Sequence, residues 1–312
     1  MKQIILAIAV LMLSLNITAQ RKDNTAVVNN EQVYFTTPLS NYEGTVEPEV
    51  STEARDLNNK GVEMALKQKN FEAATEFFRQ AVQSDNRCFM CQYNLGMSLV
   101  SNEKYDESIK VFSALVSHKP TYANGYAGLA EVYGKKGLFK DSVSAYRKAA
   151  EFAPNDAAVL SNFGNALHQL GEYKQAIIYL DKAVEINPDL AVAQSNRGST
   201  LYMLGRHKEA VKCLQRAVEL QPNSAEVQNN LGVVLSSLGK VKQAQKHFLE
   251  ALRLRPKWSF ALYNLGTNFL DLGDRGAAQQ QLSILENVDT ELAKNFKKAF
   301  LGKYVINVSD VK

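Results

Sequence analysis

The residues with the strongest chemical potential are Cys88-Phe89-Met90-Cys91, a CxxC pair, with Cys213 as the third cysteine. Such a pair can form a local disulfide, exchange thiols, or supply half of a metal site. Covalent haem would need His after the second cysteine, and Gln92 stands there. Zinc would need a second pair, and only Cys213 remains. A structural disulfide between Cys88 and Cys91 is therefore expected, with redox exchange as the alternative. Cys213 is expected to be a partly buried free thiol. The four histidines, His118, His168, His207 and His247, form no HExxH or paired-ligand spacing. No GxSxG elbow occurs. Gly128 to Gly134, followed by Lys135-Lys136, has five residues between the glycines and no following Ser or Thr, so it is not a phosphate loop. No catalytic machinery, cofactor or metal site is expected. The formal net charge of +4 over 312 residues gives no argument for nucleic acid.

These side chains sit on a periodic scaffold. Pro120, Pro154, Pro188, Pro222 and Pro256 are each 34 residues apart, and Gly137, Gly171, Gly205, Gly239 and Gly273 keep the same period. So do Ala149, Ala183, Ala217 and Ala251, and also Gly96, Gly164, Gly198, Gly232 and Gly266, where Ala130 fills the one gap. A fixed period of this size marks stacked supersecondary units. Within 157–190, Leu160, Phe163, Gly164 and Leu167 share one face of a first helix. Gly171 ends it, Tyr173, Ala176, Leu180 and Ala183 mark a second helix, and Pro188 stops that one. A single pair cannot bury both of its apolar faces, so the pairs must stack.

On these positions the chain resembles the tetratricopeptide-repeat family. Tyr93-Asn94-Leu95-Gly96, Tyr263-Asn264-Leu265-Gly266, Ala244 with Phe248, and Pro256 carry the resemblance. It implies an all-α, right-handed superhelical solenoid of seven helix-turn-helix repeats, starting near Ala54, Phe89, Ala123, Ala157, Ala191, Ala225 and Ser259. The first repeat is one residue longer, and Asn86 replaces its proline. The expected organisation is a signal peptide over 1–19, a flexible linker over 20–51, repeats over 52–288, a capping helix over 289–302 and a tail over 303–312. Leu292, Phe296, Ala299 and Phe300 give that cap its apolar face.

The resemblance implies a binding groove. The sixth position of each first helix is Asn59, Asn94, Gly128, Asn162, Asn196, Asn230 and Asn264, and in this family it faces the concave side. The column resembles the asparagine ladder in the repeat region of the O-linked N-acetylglucosamine transferases, whose catalytic domain is absent here. Amides can bond the backbone of an extended peptide without reading its side chains. They can equally bridge neighbouring helices, and both readings stand at this point. Neighbouring groove positions are Tyr93, Met97, Glu131, Asn165, His168, Ser195, Tyr202, Asn229 and Tyr263, with no set of lysines and arginines to clamp a terminal carboxylate. Arg197 takes a position that is Leu or Phe in other repeats. It either snorkels out or pairs with a ligand carboxylate.

The expected function is a non-catalytic, exported scaffold that binds other proteins or peptides. The alternatives are an accessory subunit that positions substrates for an envelope enzyme, and a thiol-disulfide protein built on Cys88 and Cys91. Lys2, the apolar run Ile4 to Leu15, and Ile17-Thr18-Ala19 read as a secretory signal cleaved before Gln20. That run is too short for a bilayer, which needs about 20 residues. A retained anchor is the other reading of the same segment. No stable span is expected in the mature chain, which is placed in a periplasm or outside the cell. Intact-mass measurement of the native protein should find Gln20 as its first residue; a chain that retains Met1 refutes cleavage.

Overall fold

The computed structural model describes residues 50–309, with side chains as far as Leu301. The expected signal peptide and almost all of the expected linker lie outside these residues. The described chain is helical, without strands. Seven pairs follow in order: α1 (Thr52–Gln68) with α2 (Phe71–Ser84), α3 (Phe89–Ser101) with α4 (Tyr105–His118), α5 (Ala123–Lys136) with α6 (Phe139–Phe152), α7 (Ala157–Leu170) with α8 (Tyr173–Ile186), α9 (Ala191–Met203) with α10 (His207–Leu220), α11 (Ala225–Ser237) with α12 (Val241–Leu254), and α13 (Ser259–Asp271) with α14 (Arg275–Val288). A last helix, α15 (Thr290–Ser309), continues seven residues beyond the cap expected to end at 302, taking up part of the expected tail.

The described chain divides into two compact units, one ending at Glu172 and one beginning at Tyr173. In the first, α1 packs on α2, α3 on α4 and α5 on α6, and each second helix packs on the first helix of the next pair. In the second unit α9 to α14 stack in the same way, and α15 covers both α13 and α14. First helices also touch one another, α1 with α3 and α3 with α5 in one unit, α9 with α11 and α11 with α13 in the other.

Helix boundaries follow local chemistry. Asp156 accepts from the backbone N–H groups of Ala158 and Val159, satisfying two of the donors that a helix start leaves unpaired. Gly171 closes α7 at φ +88°, a conformation that L side chains rarely adopt. The first repeat has no glycine at the matching turn, and Lys69 takes φ +50° there. The first repeat also lacks its closing proline, and Asp85 holds that junction instead. Its carboxylate accepts from the backbone of Ser51 at 3.1 Å and from Arg87 Nε at 3.1 Å. Arg87 and those backbone donors hold the Asp85 carboxyl down at about 2.

In four pairs the first-helix glycine, Gly61, Gly96, Gly198 or Gly232, lies close against a side chain of the second helix. A Cβ at Gly232 would lie 2.6 Å from the ring of Phe248, and one at Gly96 would lie 2.5 Å from the ring of Phe112. Both rings are almost fully buried. Gly266 meets the ring of Phe296 at 2.5 Å, and Phe296 comes from α15, not from the second helix of its own pair. The last helix therefore covers an apolar surface that would otherwise face water at the end of the stack.

Gly232→Ala should lower unfolding free energy by about 1–3 kcal/mol, the usual cost of forcing an extra methyl into a packed core. Combining it with Phe248→Leu should cost less than the sum of the two single changes, because both act on one contact. Denaturant unfolding of the three variants checks this; strict additivity would show that the ring and the glycine do not share a contact.

Candidate functional site

The asparagine column does not have one environment. Asn59 is exposed on α1, while Asn94 on α3 is fully buried. Asn94 donates from Nδ2 to Asn58 Oδ1 at 2.9 Å, tying α3 to α1. Asn264 on α13 is 8% exposed and donates from Nδ2 to Asn229 Oδ1 on α11, also at 2.9 Å. Asn230 is half-buried and donates to Ser199 Oγ at 3.4 Å. Asn162, Asn165 and Asn196 are half-buried. So Asn94, Asn230 and Asn264 bridge first helices, and Asn162, Asn196 and Asn230 keep part of their surface. Gly128 interrupts the column for a packing reason: a Cβ there would run into the ring of Phe112, which already lies against Gly96.

The aromatic members expected along the groove are interior. Tyr202 and Tyr263 are each 2% exposed, and burial pushes both phenols up to about 12. Tyr202 lies 5.0 Å from the His207 ring, and Tyr263 meets Phe296 edge-on at 5.5 Å. These two residues have almost no surface to offer a peptide. Tyr93, Met97, His168, Ser195 and Asn229 are buried too. Burial pushes the His168 imidazole down to about 4. Glu131 and Asn165 are the half-buried residues among those neighbouring positions.

Arg197 reaches outward, as expected of a snorkelling side chain, and its charge is already paired within the chain. Its Nε donates to Asp181 Oδ1 at 2.6 Å, from α9 to α8, and one terminal nitrogen lies 3.2 Å from Cys213 Sγ. The pair lies at the surface of the stack, Arg197 half-buried and Asp181 exposed. Burial raises the Cys213 thiol above its ordinary range against the opposing pull of Arg197.

Cys88 and Cys91 are joined by a disulfide, with Cα atoms 5.2 Å apart. Cys88 caps the start of α3, and the bridge lies in an apolar cluster with Val50, Ala54, Ala81 and Met90. Both cysteines are fully buried, so thiol exchange with an outside disulfide would first require the junction between α1 and α3 to open. Among the described residues no group of three His, Cys, Asp or Glu could hold a metal ion, and no helix is long and apolar enough to cross a membrane.

One set of positions escaped the sequence reading. Gln92, Gln194 and Gln228 each donate from Nε2 to the carbonyl six residues earlier, that of Asn86, Pro188 and Pro222. These bonds clasp the turn between repeats to the next first helix. The signal was present, because Gln194 and Gln228 are themselves one repeat length apart. Asn58 and Asn229 also went unassigned as bridge acceptors, since nothing in their spacing shows which way the neighbouring amide turns.

The geometry defines an array of helix pairs whose first helices carry a partly exposed polar column. Models of the tetratricopeptide repeat match residues 93–157, 155–223 and 189–257, together more than half of the chain. The chain belongs to the tetratricopeptide-repeat family. It is 32% identical over 95 residues to the chloroplastic tetratricopeptide repeat domain-containing protein PYG7 of Arabidopsis thaliana, a match spanning 29% of this chain and 32% of that protein. A tetratricopeptide repeat protein from Parabacteroides merdae superposes with a TM-score of 0.62 at 16% identity, covering 80% of this chain and all of that one. The pilF protein of Pseudomonas aeruginosa superposes with a TM-score of 0.59 at 17% identity, covering 69% of this chain and 98% of that one. At these identities the two structures share the fold alone.

Asn94→Ala should destabilise the protein by about 1–3 kcal/mol, because it leaves the buried Asn58 oxygen without its donor. Asn162→Ala should change stability by less than about 0.5 kcal/mol, as surface substitutions commonly do. Thermal unfolding of the two variants separates bridging amides from free ones; equal losses would mean the whole column is architecture.

Proposed function

We propose that this protein is an exported, non-catalytic scaffold that binds extended peptide segments of other proteins along its first-helix faces. The tetratricopeptide fold is a protein-interaction scaffold, and the observation that carries the peptide reading is the column itself. Asn196 and Asn230 are part-exposed amides at one repeat position on consecutive first helices of the second unit, with Ser199 beside Asn230. Asn162 holds the same position in the first unit. An amide offers two donors and an acceptor, the complement of a peptide backbone. The helices beneath are packed on both sides, so the amides are held on a rigid base, where binding groups are commonly found.

Export is supported by Lys2, the apolar run Ile4 to Leu15 and Ala19. It is also supported by the Cys88–Cys91 bridge, a bond that persists in oxidising compartments. The buried position of that bridge favours a structural role over thiol-disulfide exchange.

Selection of a random peptide display library on the mature protein provides the probe. For a recovered peptide, the double variant Asn196→Ala, Asn230→Ala should weaken binding by about tenfold, two amide bonds at about 0.5–1.5 kcal/mol each. Its melting temperature should stay near that of the parent. Unchanged affinity for every recovered peptide would place the binding surface elsewhere.

A further inference from the structure

The ninth position of the first helix in the third repeat is Glu131, on α5. Position six of one first helix bonds position five of the one before in Asn94 to Asn58 and Asn264 to Asn229, and position nine in Asn230 to Ser199; five and nine are one turn apart, so position six faces that turn. The same register sets Glu131 opposite Asn162, within the unit that ends at Glu172. Among the described residues, neither Glu131 nor Asn162 has a hydrogen-bond or ion-pair partner, and both are half-buried. Lys135, one turn further along α5, acts on the carboxylate only through space, and Lys136 is taken by Asp106.

Glycines lie three residues to either side of Glu131 on α5, Gly128 before it and Gly134 after. The space at Gly128 belongs to the ring of Phe112. At Gly134 an added Cβ would be in ordinary contact with Ser142 Oγ at 3.5 Å, without a clash. Glu131 and Asn162 bring one carboxylate and one amide, each without a hydrogen-bond partner, to facing positions of α5 and α7. Glu226, another acidic residue on a first helix, is already bound by Arg255.

We propose that this pair of groups receives the cationic side chain, lysine or arginine, of a bound partner segment, with Glu131 supplying the carboxylate and Asn162 its amide oxygen. The proposal rests on the reading that the first-helix faces bind peptide, and it makes that site selective. A carboxylate drawn out of water without a partner is unfavourable, and a partner's cation removes that penalty. A partner's carboxylate at the same place would add to it. Burial pushes the Glu131 carboxyl up to about 7, against the opposing pull of Lys135.

The test uses peptides recovered by display selection on the full mature chain. They should share a basic residue, and replacing that residue by Met should weaken binding by about tenfold or more, the scale of one charge-assisted hydrogen bond. In the Glu131→Gln variant the same replacement should change binding less than about twofold. The Glu131→Asp variant should retain part of the preference, and it remains available where the Gln form folds poorly. Peptides that bind through Asn196 and Asn230 yet carry no common basic residue overturn this inference and leave the groove reading standing. So does a Met replacement that costs the same in the parent and in Glu131→Gln. Failure to recover any peptide overturns the groove reading and this inference together.

Discussion

A phenyl ring seated directly on helix backbone sets the spacing of the pairs. Phe248 lies against Gly232 and Phe112 against Gly96, at distances that no side chain on the first helix could tolerate. The ring fills the gap between the two helices of a pair, and the missing Cβ lets the helices approach until the alanines of the second helix are buried as well. Ala244 and Ala251 flank Phe248 on α12 and are fully buried. Where the second helix offers Leu214 instead of a ring, Gly198 is still required, at 2.6 Å. The small residue answers to the closeness of the helices and not to aromatic chemistry alone.

That constraint reaches the functional face. Because Phe112 spreads over both Gly96 and Gly128, the third repeat cannot carry an amide at position six, and the column is broken there. Close approach of the first helices also decides the fate of the remaining amides. Where neighbouring helices present Asn58 or Asn229, the amide of the next repeat turns inward and bridges, as Asn94 and Asn264 do. Where they do not, it keeps some surface. Pairing of buried polar groups is worth more than exposure, since an unpaired buried amide costs about 1–3 kcal/mol.

The two ends of the described array are finished by different means. At the start, the carboxylate of Asp85 binds Ser51 across the first pair, and the bridged cysteines of the second pair pack against Val50, Ala54 and Ala81. At the finish, α15 lays Leu292, Ala293 and Phe296 over α13 and α14, all three buried. The last pair of a stack has one face with no following pair, and α15 covers it.

The repeat was legible from residue spacing because its constraints are local and recur. A glycine that must approach a ring, a proline that must stop a helix and an apolar stripe at helical period each leave their mark every 34 residues. The helix starting at Thr52, the seven pairs and the covering helix all follow from those marks, and so does the pairing of two cysteines three residues apart. Spacing did not tell the buried amides Asn94 and Asn264 from the part-exposed Asn162, Asn196 and Asn230. It also did not show that Tyr202 and Tyr263 are interior, or that Arg197 is held by Asp181. Each of these residues occupies a fixed repeat position, and that position's period is the same whether it faces a partner or a neighbouring helix. Only the tertiary structure decides, because burial and hydrogen-bond direction depend on which side chain the adjacent helix places within about 3 Å, the reach of a hydrogen bond.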